Sequence, residues 1–132
     1  MVRVHGGEPL RPRTLTLLTF RVEDPNGALA GDLELYMGMP GHAIVIRRDR
    51  SVFAHIHPSG SAPMAAMEIG QRALAAAGGA AAPMPEHQHH VAALPPVITF
   101  PYGFPVAGDY RVFVQVKRQG QIETAAFDVP VN

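Results

Sequence analysis

The sequence predicts an all-β protein: an immunoglobulin-like β-sandwich of about seven strands with one helix-bearing insertion. Short apolar and β-branched runs recur along the chain. Turn residues separate them at close intervals; 13 glycines and 13 prolines among 132 residues exceed average usage, as a many-turned sandwich requires. Two of the runs also match face to face when joined through a two-residue turn.

The strands are expected at residues 14–22, 32–36, 42–47, 51–57, 97–100, 109–117 and 121–129. In the sixth, Tyr110, Val112, Val114 and Val116 share one face, while Arg111, Gln115 and Lys117 take the other with Phe113 as the apolar exception. With Gln119-Gly120 as a two-residue turn, Val112 faces Phe127 and Val114 faces Ala125. The apolar faces then coincide. Gly108-Asp109-Tyr110-Arg111-Val112 has the pattern of a tyrosine corner, in which a Tyr near a strand start bonds to upstream backbone.

Residues 58–96 interrupt this rhythm within what reads as one domain over 1–132. Ser61 can cap a helix from about Pro63 to Ala77, and Gly78-Gly79 would end it. An Ala/Pro tether then leads into Glu86-His87-Gln88-His89-His90. His87, His89 and His90, with Met84, form a loose second cluster; flexible His-rich tracts can capture metal, and loop histidines are just as often simply solvated. Core packing accounts for Met64 and Met67.

Composition excludes several function classes. Eleven basic and eleven acidic residues cancel, so the chain lacks the electrostatic footprint of a nucleic-acid binder. The absence of cysteine removes thiolate metal sites, cysteine nucleophiles and disulfides. No apolar run approaches the roughly 20 residues of a membrane span, so no direct membrane insertion is expected. Val2-Arg3-Val4-His5-Gly6-Gly7 lacks a signal peptide's apolar region. Either a cytosolic protein or a domain cut from a longer exported or membrane-bound parent is expected. Seven histidines against three tyrosines and no tryptophan make histidine the residue to follow.

His55 and His57 are two apart in a strand and so project to one side. Their partner strand begins at His42, and the turn lies near Arg48-Asp49-Arg50. A two-residue loop at Asp49-Arg50 sets His42 opposite His57; a four-residue loop sets it opposite His55. In both registers His42 shares their face, within the ~4.5–5.5 Å spacing of cross-strand neighbours. Three neutral imidazoles so gathered suit Cu, Zn, Ni or Fe. Met37 and Met39 lead into His42, and their thioethers favour copper, especially Cu(I), over zinc. The expected metal ligands are therefore His42, His55 and His57, with Met37 and Met39. Ile44, Ile46 and Phe53 fall on the same face, which offers a plainer reading: hydrogen-bonded histidines at the edge of the core. Methionines, likewise, usually fill gaps in a core.

Three stretches together resemble the extracytoplasmic immunoglobulin-like domains of the YtkA-like family. They are Tyr36-Met37-Gly38-Met39-Pro40-Gly41-His42, Phe53-Ala54-His55-Ile56-His57-Pro58, and the run from Phe100 to Phe113 that contains Pro105-Val106-Ala107-Gly108-Asp109-Tyr110. The resemblance covers about residues 14–130, apart from the Ala-rich stretch near 70–95. It implies a periplasmic or outer-surface location, a parent chain that is exported or membrane-anchored, and a binding role with His42, His55 and His57 at the matching positions.

Rival functions fit less well. A cupin wants a carboxylate soon after its His-x-His and a later histidine, yet Glu68 comes late and Arg111 stands where that histidine should be. A His₃ zinc hydratase or hydrolase needs a nearby base, and the closest carboxylates in sequence, Asp49 and Glu34, are not obviously placed. An interaction module using its sheet edges, to dock a partner protein or its own parent, is the runner-up. The sequence reads as a non-catalytic domain that binds or delivers copper, with zinc as the other candidate ion.

Overall fold

The computed structural model describes residues 1–4, 8–59 and 93–132. The expected helix at 63–77 and His87, His89 and His90 lie outside the described residues. The described part is all-β. Its strands are β1 (Val2–Val4), β2 (Leu15–Arg21), β3 (Leu33–Glu34), β4 (His42–Arg47), β5 (Phe53–Ile56), β6 (Val97–Gly103), β7 (Gly108–Arg118) and β8 (Gln121–Val131). The seven expected strands all form, and β1 is an eighth that the sequence did not reveal.

The strands make two antiparallel sheets. One has the order β1-β2-β6. In the other, β7 is central: β8 lies along one side of it, while β4 and β3 share the opposite side and β5 pairs beyond β4. The β2–β6 pair and the β4-β7-β8 trio reproduce the B–E and C–F–G neighbours of an immunoglobulin-like sandwich.

The core forms where the inner faces meet. Period-two alternation turns Leu18 and Phe20 of β2, with Ile98 and Phe100 of β6, toward Val45, Val112, Val114, Val116 and Val129 of the other sheet. The Phe20 and Phe127 rings, one from each sheet, lie 4.9 Å apart. Each such apolar side chain contributes about 1.5–3 kcal/mol when fully buried, so this face dominates the stability.

The β7–β8 hairpin has the expected register, with Val112 opposite Phe127 and Val114 opposite Ala125. Its turn residues Gln119 and Gly120 both have positive φ, at 49° and 74°, as a two-residue hairpin of native twist requires. Tyr110 Oη donates to the Val106 carbonyl at 2.8 Å, completing the tyrosine corner, and the ring itself is fully buried.

Strand β3 is shorter than the expected 32–36, because the chain turns back on itself at Tyr36. Its position is nonetheless fixed. Arg118 donates to both oxygens of Asp32 at 2.7 and 3.1 Å, and Glu34 accepts from the Gly120 N–H at 2.8 Å. These bonds tie β3 to the β7–β8 turn and so set where the following residues, 36–42, begin.

Candidate metal centre

The β4–β5 hairpin closes through a turn in which Arg50 N–H donates to Arg47 O at 2.8 Å and Arg50 takes a positive φ of 64°. The Asp49 carboxylate braces the turn by pairing with Arg47 and accepting from Ser51 N–H at 3.0 Å and Ser51 Oγ at 2.6 Å. Ala43 then faces Ile56, and Ile44 faces His55. This is the register of the two-residue loop, with His42 set across from His57.

Two local features place His42. The first is the turn Tyr36-Met37-Gly38-Met39, where φ is 52° at Met37 and 79° at Gly38, and where Tyr36 and Met39 exchange hydrogen bonds at 2.8 and 3.1 Å. Two successive positive φ values suit glycine at the second position. The second is Gly41. A Cβ there would lie 2.8 Å from the Gln115 carbonyl oxygen, so only glycine lets the chain pass this close to β7. His42 enters β4 just behind it, buried to 4% exposure, while His55 and His57 are exposed.

The three rings form a nearly even triangle, with centroids 5.3 Å apart for His42–His55, 5.3 Å for His42–His57 and 4.9 Å for His55–His57. One ring nitrogen from each lies within 4.8 Å of the other two. His42 Nε2 stands 2.9 Å from the Tyr36 carbonyl. A carbonyl only accepts, so Nε2 carries the hydrogen and Nδ1 keeps a bare lone pair. That lone pair points to His55 Nε2, 3.2 Å away. Two nitrogens bound to one tetrahedral ion at 2.0–2.1 Å would stand about 3.3 Å apart. Metal-bound histidines characteristically donate their second N–H to a carbonyl or carboxylate, and the Tyr36 carbonyl is placed for that role.

Electrostatics favour the same state. Burial holds the His42 imidazole below its ordinary range, the Tyr36 bond partly offsets this, and the neighbouring His55 and His57 push it lower again. A neutral ring is the form that ligates. The Tyr36 ring meets His42 edge-on, with centroids 5.0 Å apart.

Among the described residues the grouped donors are histidines alone. Glu34 is engaged by Gly120 and Lys117, and Asp49 by Arg47 and Ser51. Met37 sits at the apex of its turn, 74% exposed, and Met39 is half-buried at the turn's closing position. Ile44, Ile46 and Phe53 share the histidines' face as expected. That face points away from the core, since Ala43 and Val45 are the residues of β4 that turn inward. Phe53 is 66% exposed. The sequence reading missed the Tyr36 carbonyl; the Met-Gly pair, read as a two-residue turn, would have pointed to it.

The described chain is thus a β-sandwich whose outer sheet face carries a three-histidine group able to hold a metal ion. It belongs to the family described as Domain of unknown function (DUF8832), which it matches over residues 1–132. Neither a curated protein nor a solved structure matches this chain.

Proposed function

We propose that this is an extracytoplasmic domain of YtkA-like kinship that binds or delivers copper, accepts zinc as a second ion, and catalyses nothing. The observation that carries the metal reading is the tethered His42 ring. Its Nε2–H is held by the Tyr36 carbonyl, and its Nδ1 lone pair accepts from His55 Nε2 at 3.2 Å, a hydrogen whose place an ion would take. Copper is favoured by an imidazole set without thiolates, next to a turn bearing Met37 and Met39, whose thioethers would support Cu(I). A binding role fits the donor group better than hydrolysis does, because Glu34 and Asp49 are engaged elsewhere and, among the described residues, leave no base grouped with the histidines. The parent chain would be exported or membrane-anchored; among the described residues no helix is long and apolar enough to cross a membrane.

A titration with Cu(II) and Zn(II), followed by melting temperature, tests this. An ion at 100 times its Kd adds about 2.7 kcal/mol, which for a domain of this size raises Tm by about 10 °C. His42→Ala and His57→Ala should abolish the rise. An unchanged Tm with no metal retained would overturn the reading. It would leave the second one, a protein-docking module, which the outward-facing Ile44, Ile46 and Phe53 favour.

A further inference from the structure

We infer that a metal ion joins two copies of this chain along β5, taking imidazoles from both. The inference rests on the metal reading and adds a partner, a second copy of the chain, to it.

The backbone of β5 is the first ground. Among the described residues β5 pairs with β4 alone. The bond from Arg47 N–H to Val52 O, 3.0 Å, sets the alternation of the ladder. Val52, Ala54 and Ile56 turn their peptide groups to β4, and Phe53 and His55 turn theirs to the outer edge. Such a row is a template for another strand. The usual guards are missing from it, for Phe53–Ile56 contains no lysine, no proline and no bulge.

The donor set is the second ground. His42 is enclosed on the β7 side by Gly41 and the Tyr36 turn, whereas His55 and His57 are exposed on the edge strand itself. A single tetrahedral ion held by three imidazoles of one copy has one position left for a donor from the second, so that one ion serves the pair, and here the exposed flank of the site is the β5 side.

Symmetry links the two. When two β5 strands pair antiparallel about a two-fold axis, residues facing outward in one copy oppose residues facing outward in the other. With the axis at Ile56, His55 lies opposite the partner subunit's His57. With the axis at His55, the two His55 residues oppose each other. Either register brings an imidazole of the second copy to about 4.5–5.5 Å in cross-strand spacing, the same reach that gathers His42 to its own neighbours. An unrelated strand would have to supply a donor by coincidence; a second copy supplies it by construction.

Sedimentation equilibrium of the full chain tests this, in EDTA and with half an equivalent of Zn(II) per chain, with bound zinc counted in the same samples. The chain should be monomeric in EDTA and dimeric with zinc, and EDTA should reverse the change. Phe53→Pro removes an edge N–H where a strand tolerates proline, and keeps all three histidines. It should still retain zinc on its own three histidines while weakening the dimer at least tenfold. Phe53→Lys is a second edge block, should the proline disturb the fold. A zinc-loaded chain that stays monomeric overturns the inference and leaves the metal reading standing. Dimerisation unaffected by both substitutions overturns it too, and a chain that retains no zinc removes both.

Discussion

The two hairpins of the larger sheet are built alike and used differently. In β7–β8, both strands run eleven residues and the inner faces pack into the core. The outer face closes on itself, with Arg111 donating to both Asp128 oxygens at 2.8 and 2.9 Å and Gln115 reaching Thr124 at 3.3 Å. In β4–β5, the second strand has four residues, and the outer face presents three imidazoles and an exposed phenyl ring. One hairpin spends its side chains on holding the fold; the other leaves donors available and draws its order from the strands beside it. Removing side chains should therefore hurt the first hairpin at its inner face, whereas the second should register the loss mainly as lost ligand binding.

The largest difference is expected between Val112→Ala and Phe53→Ala. The first removes two methyl groups from a fully buried site and should cost about 2 kcal/mol by urea denaturation. The second, on the exposed face of β5, should stay within about 0.5 kcal/mol. Equal losses would break the comparison.

Gly41→Ala comes next. Its new Cβ meets the Gln115 backbone oxygen, and overpacking of this kind costs about 1–3 kcal/mol. Because His42 follows directly, zinc affinity measured by calorimetry should fall along with stability. Affinity unchanged beside lost stability would separate Gly41 from the site.

The smallest effect is one of pH. His42 has its folded pKa depressed, so the unfolded chain takes up the proton first as pH falls. The contribution of the neutral ring is complete above the unfolded value of about 6.5 and is lost as pH drops through the lower folded value. The urea midpoint should therefore decline below about pH 6.5 in the metal-free chain, and less steeply in His42→Ala. A midpoint as steep in the variant would assign the slope to other groups.

How much of this the sequence could tell depends on what kind of contact does the work. The β7–β8 register was legible because an all-apolar face repeats at period two on both sides of a Gly turn. The shared side of His42, His55 and His57 was legible because parity survives either loop length. That their face is the outer one was hidden, since Ile44, Ile46 and Phe53 make both faces of the hairpin read as apolar. The partner of His42 was hidden for another reason: it is a main-chain oxygen, placed by the fold of a turn and not by any side-chain pattern. Strand β6 runs on through Pro101 to Gly103, where such residues usually signal an end; it lies at a sheet edge, where a missing N–H is tolerated.

The Tyr36 oxygen receives two hydrogens, one from the Met39 amide that shuts the loop and one from the His42 ring. Loop and ring are thereby latched to a single atom. A binding partner that pried at the protruding Met37 would unlatch both at once, leaving the imidazole free to swivel and loosening whatever ion it held.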